Sequence, residues 1–168
     1  GAGKVYDYFR SLGRDGIDGK GGPMRSVVDV TYGNRPYNNA FWDGTKMVYG
    51  RSSNGRSFAA DLDVVGHEMT HGVTDHSGGL IYLQQSGAIN EAVSDYFGNA
   101  IDVTESGTPM DAPTAGLLGE DLCPGTAPKE CALRDMNDGR RADRDYLSLP
   151  PDVDGGGVHL NSTIFSGA

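Results

Sequence analysis

The stretch Asp61–His76, DLDVVGHEMTHGVTDH, decides how this chain is read. Its apolar residues Leu62, Val65, Met69 and Val73 recur at helical spacing, so one stripe of a helix faces a core. Asp61 or Asp63 can cap the start, where negative charge suits the helix dipole, and Gly78-Gly79 is the expected stop. His67 and His71 stand four positions apart, one turn along the same face. Two imidazoles so placed can reach one zinc ion, and Glu68 projects beside the metal, placed to take a proton from a water there. The plain alternative is two surface histidines on an amphipathic helix. The apolar setting GHEMTHGV speaks against it, because polar groups among buried-type neighbours need a partner.

A catalytic zinc commonly has three protein ligands and one open position. The extended pattern H-E-x-x-H-x-x-G-x-x-H needs glycine at 74 and histidine at 77, but the chain has Thr74 and Ser77, which excludes that class. His76 is off register and reads as exposed. The better third ligand is Glu91, twenty positions after His71 in Asn90-Glu91-Ala92-Val93-Ser94-Asp95. The segment SGAINEAVSDYFGNAIDV predicts a second helix over 86–103, with Ser86 as its cap. Asp95 lies one turn beyond Glu91, where a carboxylate can accept from the far nitrogen of a ligand histidine. Two surface acids are the plain reading of Glu91 and Asp95. The small and apolar neighbours Ala88, Ile89, Ala92 and Val93 argue for burial, where unpaired acids are costly.

Residues 1–60 read as short extended pieces, with YDYFR as the end of a helix, RSVVDVTY as a strand and a hairpin around Asp43-Gly44. Residues 105–157 are loop-rich, and a new helix begins in GGGVHLNSTIFSGA. The length of 168 residues suits one domain, and 37% hydrophobic content allows a modest core. The formal charge of −9 argues against nucleic acid as a partner. It fits a solvated surface, carboxylates gathered on calcium, or both. No run approaches the roughly 18 apolar residues of a membrane span. No charged-then-apolar leader opens the chain, so any secretory leader is expected to have been removed. Cys123 and Cys131, eight apart, are read as a disulfide in an oxidising compartment; a zinc clip would lack its further ligands.

GHEMTHGVTDHSGGLIYLQQSGAINEAVSDYFG resembles the core of the thermolysin-like neutral metalloproteases, and the resemblance extends to RSVVDVTYGNRPYNNAFWDGTKMVYG upstream and to ALRDMND and DGGGVHLNS downstream. It implies one catalytic zinc on His67, His71 and Glu91, a ligand set that is thermolysin's own in the general description of zinc sites. It further implies Glu68 as general base, Tyr82 and His159 as donors to the oxyanion, Asp95 and Asn90 as partners of the ligand histidines, and Asp154 as support for His159. Asn39 and Ala40 would bond the substrate backbone, Arg134 its carbonyl, and Phe58, Val64 and Leu133 would line an apolar pocket. Without the resemblance, Tyr82 passes as a core aromatic, His159 is ambiguous, and Arg134 with Asp135 passes as a surface pair. Asp63, Asp102 and Glu120 match a calcium site of the family, with Asp111 and Asp121 as further contributors. Ala115 and Leu117 fall where its double site carries acids, so one structural calcium is expected. The cysteine pair is absent from the family's type member.

The fold expected is α+β: an N-terminal twisted, largely antiparallel β region over about 1–60, packed on two zinc-site helices over 61–104. A loop-rich part over 105–168 carries the calcium and oxyanion residues. The family's C-terminal helical lobe is expected to be largely absent, as is a β-rich segment before residue 1. The expected function is a secreted, extracellular zinc endopeptidase cutting peptides or proteins before bulky apolar residues, with no nucleic-acid or membrane partner. The alternative is a catalytically incompetent zinc- and calcium-binding fragment that needs the missing segments, supplied as separate chains. An aminopeptidase is disfavoured, because no acidic cluster is dedicated to a free amine.

Overall fold

The computed structural model describes residues 1–123 and 125–167. The chain opens with α1 (Ala2–Ser11), whose Val5 and Phe9 are buried. Their i, i+4 spacing puts both on the face that packs against the later helices. The expected β-rich region thus starts with a full helix, and YDYFR is its C-terminal half, as expected. Five short strands follow: β1 (Ser26–Val27), β2 (Thr31–Tyr32), β3 (Arg35–Pro36), β4 (Ala40–Trp42) and β5 (Met47–Tyr49). RSVVDVTY is not one strand. Asp29 takes a left-handed φ of 57° and accepts from Arg51 Nη2 at 2.9 Å, which breaks the run into β1 and β2.

β4 and β5 form the expected antiparallel hairpin, with Ala40 opposite Tyr49. Its turn is tied by Asp43 Oδ1, which accepts from the backbone N–H groups of Thr45 and Lys46. β1 joins β5 in parallel, so the three-stranded sheet is mixed, and β4 lies at its edge. β2 and β3 pair separately.

A 3₁₀ turn at Phe58–Ala60 leads into α2 (Leu62–Asp75), and α3 (Gln84–Ser106) follows. Asp61 stands at the start of α2, but its side chain does not cap it; its Oδ2 accepts from Asp121 N at 3.2 Å instead. α3 begins two residues before Ser86, with Leu83 at the cap position and Gln84 at φ 49°. Beyond it come β6 (Leu117–Leu118), a 3₁₀ turn at Glu120–Leu122, the single turn α4 (Pro128–Cys131), β7 (Arg134–Asp135), the single turn α5 (Ala142–Asp145) and α6 (Asp154–Ser166). β6 and β7 pair antiparallel. Cys123 and Cys131 form the expected disulfide, with Cα atoms 5.6 Å apart. α6 is the helix expected at the end, but its first turn is unwound: Asp154 and Gly155–Gly157 all have positive φ.

α2 and α3 cross almost backbone to backbone, because the crossing point is Gly66 against Gly98. A Cβ on Gly98 would lie 2.4 Å from Asp63 O and 3.1 Å from His67 N. This crossing turns the faces carrying His67, His71, Glu91 and Asp95 toward each other. Gly98→Ala is therefore expected to destabilise by about 3 kcal/mol, at the upper end of ordinary overpacking, because backbone rather than a side-chain tip must move. The midpoint of denaturant unfolding measures it; an unchanged midpoint would mean the helices can separate freely.

Candidate metal centre and substrate cleft

The centre is assembled by α2 and α3 alone. His67 Nε2 and His71 Nε2 lie 2.9 Å apart, and Glu91 reaches them with Oε2 3.5 Å from the first and Oε1 3.2 Å from the second. Among the described residues these three form the one group of His, Cys, Asp or Glu whose ligand atoms all fall within 4.8 Å of one another.

The tautomers follow from the outer partners. Asn90 Nδ2 donates to Leu80 O at 3.2 Å, which turns its Oδ1 to His71 Nδ1 at 2.8 Å. His71 Nδ1 therefore carries the proton, with Ser94 Oγ, an unforeseen neighbour, 3.1 Å away. Asp95 Oδ1 lies 2.8 Å from His67 Nδ1 and is anchored on its other side by Arg134, whose Nε and Nη2 donate at 2.7 and 2.6 Å. Burial opposes the charge of Asp95, but Arg134 and then His67 hold its pKa below the usual range. Its charge beside the ring favours the proton on His67 Nδ1, although that nitrogen makes no hydrogen bond among the described residues.

Both Nε2 atoms then face each other with lone pairs, beside a fully buried carboxylate. Such a set repels itself unless a positive charge sits among its members. Burial disfavours a charged His71, yet Glu91 raises its pKa to about 9, so a proton is drawn in. Burial likewise opposes the charge of Glu91, but His67, His71 and His159 hold it well below the usual range. Glu91 Oε2 has no hydrogen-bond partner among the described residues. Two neutral imidazoles and one carboxylate are a zinc donor set, and these residues fit that ion.

Glu68 is 5% exposed. Burial raises its pKa, while His67 and His71 partly offset the shift. Across the cleft, Tyr82 OH donates to Glu91 Oε1 and lies 3.1 Å from His159 Nε2. His159 Nδ1 bonds Asp154 Oδ1, and Asp154 Oδ2 accepts from the His159 backbone N–H at 3.0 Å. The unwound start of α6 places Asp154 back against His159. Burial, then Glu91, pushes the Tyr82 hydroxyl's pKa far up, so it stays a donor.

A cleft of about 360 Å³ runs over the centre, lined by His67, Glu68, His71, Glu91, Tyr82 and His159, with Asn39 and Ala40 along one side. Trp42 extends that side, its Nε1 donating to Asp75 Oδ2 at 2.7 Å, a contact sequence reading missed. A second cavity of about 280 Å³ adjoins it, bounded by Phe58, Val64, Leu118 and Leu133 and reaching His67, Glu68 and Arg134. Arg134 does not pair with Asp135, which takes Lys129 at 3.0 Å. His76 is exposed as expected, with Nδ1 2.8 Å from Gly72 O.

The acidic residues lie apart from this centre, and among the described residues their ligand atoms do not all come within 4.8 Å of one another. Asp63 is 1% exposed, and its Oδ2 accepts from Gly119 N at 2.7 Å. Asp63 Oδ1 and Glu120 Oε2 are buried with no partner among the described residues. Burial and the neighbouring carboxylates raise the pKa of Asp63 well above its ordinary value. The same causes put Asp102 at about 6 and Glu120 at about 7. Asp61, read earlier only as a cap, is 2% exposed and belongs here through Asp121. Ala115 and Leu117 are buried apolar residues.

Comparison with known proteins places these features together. Residues 1–75 match the family model of the thermolysin metallopeptidase catalytic domain, and residues 78–168 match that of its alpha-helical domain. The boundary falls between α2 and α3, so the metal centre straddles it. The chain is 45% identical to a bacillolysin of Bacillus caldolyticus and to a thermolysin of Alicyclobacillus acidocaldarius, in each case over 99% of this chain and 30% of the relative. The structure of a protealysin precursor, a metalloproteinase from Serratia proteamaculans, superposes with a TM-score of 0.84 at 34% identity, covering 98% of this chain and 54% of that one. The chain thus spans about a third of the length of these curated relatives. With both family models in register and the two-histidine, one-glutamate centre built by their junction, the chain belongs to the thermolysin metallopeptidase family.

Proposed function

We propose that this chain carries the catalytic centre of a secreted zinc endopeptidase that cuts peptide bonds on the amino side of bulky apolar residues. The observation that carries the reading is the convergence of His67, His71 and Glu91, with Glu68 buried beside them and Tyr82 and His159 facing them across one cleft. Zinc bound there supplies Lewis acidity. Glu68 takes a proton from the attacking water and returns it to the leaving amine, a role its raised pKa suits. Tyr82 and His159 donate to the oxygen that becomes anionic, with Asp154 fixing the imidazole. The substrate backbone pairs with edge strand β4 near Asn39 and Ala40. Arg134, tied to Asp95 through Nε and Nη2, keeps Nη1 for a substrate carbonyl. The apolar side chain after the scissile bond enters the cavity of Phe58, Val64 and Leu133.

The test is zinc content together with cleavage of a quenched peptide bearing an internal Phe or Leu, before and after zinc removal in excess calcium. Zinc-dependent cleavage is the expected result. The second reading, a zinc- and calcium-binding fragment that requires further segments, draws on the chain's short span of its relatives and on His159 being half-exposed at the cleft rim. One bound zinc without cleavage would favour it.

One calcium ion on Asp63, Asp102 and Glu120 is part of the proposal; the buried Asp63 Oδ1 and Glu120 Oε2, without a hydrogen-bond partner among the described residues, support it, and the apolar Ala115 and Leu117 argue against a second ion. In zinc-saturated protein, calcium at about 100 times its Kd is expected to stabilise the fold by about 2.7 kcal/mol, raising Tm by roughly 5–10 °C for a domain of this size. Asp63→Asn should lose most of that rise. An equal calcium shift in the variant, read by thermal melting, removes Asp63 from the site. Extracellular residence accords with the disulfide; among the described residues no helix is long and apolar enough to cross a membrane.

A further inference from the structure

We propose that the Cys123–Cys131 disulfide is a specificity-positioning element: it holds Leu133 in place and so sets the depth of the apolar cavity beside the metal centre. This rests on the reading of that cavity as the pocket for the residue after the scissile bond.

Three walls of the cavity are secured differently. Phe58 and Val64 are buried core residues, 6% and 4% exposed, packed in one cluster with Leu122 and Cys131. Leu133 is 50% exposed and lies outside that buried cluster. The strand that follows it, β7, pairs with β6 over only two residues, too short to hold a fixed geometry unaided. The turn before it, α4, is a single four-residue turn, below the length at which a helix supports itself.

The disulfide adds a covalent constraint beside the backbone contacts of this segment. Cys131 lies two residues before Leu133, and its Sγ sits 3.5 Å from Gly119 O. Leu133 rests on Gly119 so closely that a Cβ there would come within 2.6 Å of its Cγ, and its N–H donates to Leu118 O at 2.7 Å. Cys123, at the other end, directly follows Leu122, which is 2% exposed within the cluster of Phe58 and Val64. The bridge therefore ties the loosely held wall to the two fixed ones.

Arg134 does not depend on it. Although next to Leu133 in sequence, its guanidinium is anchored to Asp95 on α3 by two hydrogen bonds. Loss of the bridge should move the pocket wall and leave the centre intact. A crosslink that merely stabilises the fold would not divide its effects in that way.

The experiment compares the full chain with its C123A/C131A double variant. It measures kcat/KM on quenched peptides with Leu or Ala after the scissile bond, and Kd for two peptide hydroxamates with Leu or Ala side chains at that position. The expected result is a fall of about tenfold in the Leu-over-Ala preference by both readouts, since a fitted hydrophobic pocket discriminates by such factors per methylene. Zinc content should stay at the wild-type value and handling of the Ala ligands should be nearly unchanged. A preserved Leu-to-Ala ratio, with both ligands weakened equally or only Tm lowered, overturns the proposal. Should the double variant fail to fold, wild-type protein reduced by a phosphine, with two thiols confirmed by titration, gives the same two outcomes. A wild-type chain without any Leu preference overturns the pocket reading and this proposal with it; a preference that survives loss of the bridge overturns this proposal alone.

Discussion

Glu68→Gln is expected to retain wild-type zinc content while peptide cleavage falls by about 10³-fold or more, in the range set by loss of a general base. The side chain lies at the centre but takes no part in the three-ligand group, so the amide should not disturb the metal. It is nearly the same size and shape as the carboxylate, and the buried site needs no repacking. What it lacks is a basic oxygen for the proton of the attacking water and an acidic proton for the leaving amine. Elemental analysis and kcat/KM on the same sample check both halves. Activity within tenfold of wild type would assign the proton transfer to another group, with His159 the next candidate in the cleft.

The second large effect is on Glu91→Gln, expected to reduce zinc affinity well beyond the roughly 10–100-fold that loss of an outer-shell partner costs. Asp95→Asn should fall within that smaller range, since Asp95 acts on the metal only through His67 Nδ1. Glu91 supplies the sole negative charge of the donor set, and its neighbours are arranged for a carboxylate. Tyr82 donates to it, His159 Nε2 lies 3.4 Å away, and Arg134 Nη2 at 3.6 Å brings positive charge toward it. A glutamine keeps one carbonyl acceptor but loses the charge and puts an NH2 group, itself a donor, among these donors, so a drop in melting temperature accompanies the lost metal. Competition against a chelating dye measures both variants. Glu91→Gln with wild-type affinity would mean that the two histidines and some other group hold the ion.

His67, Glu68 and His71 were legible because helical geometry is local: residues four apart share a face whatever surrounds them. The two helices were visible in their apolar spacing for the same reason, with α3 misjudged by two to three residues at its ends. RSVVDVTY looked like one strand, because β propensity reports half-buried surface and cannot show that Asp29 breaks the run to meet Arg51. α1 was seen only in part, since its buried stripe is just Val5 and Phe9.

The sequence by itself determined the chemistry on offer: two imidazoles and a carboxylate on helical faces, a proton acceptor between them, and a cysteine pair eight residues apart. Tertiary structure alone decided that Gly66 meets Gly98, and that contact sets how closely Glu91 approaches the histidines. It also decided that Arg134 reaches Asp95 rather than Asp135, that Asp61 joins Asp121, and that Leu133 becomes a pocket wall. These contacts join residues 30 to 60 positions apart or sit where strands are two residues long. No local rule fixes such distances, which are set by helices packed backbone to backbone, where each glycine's missing side chain defines the approach.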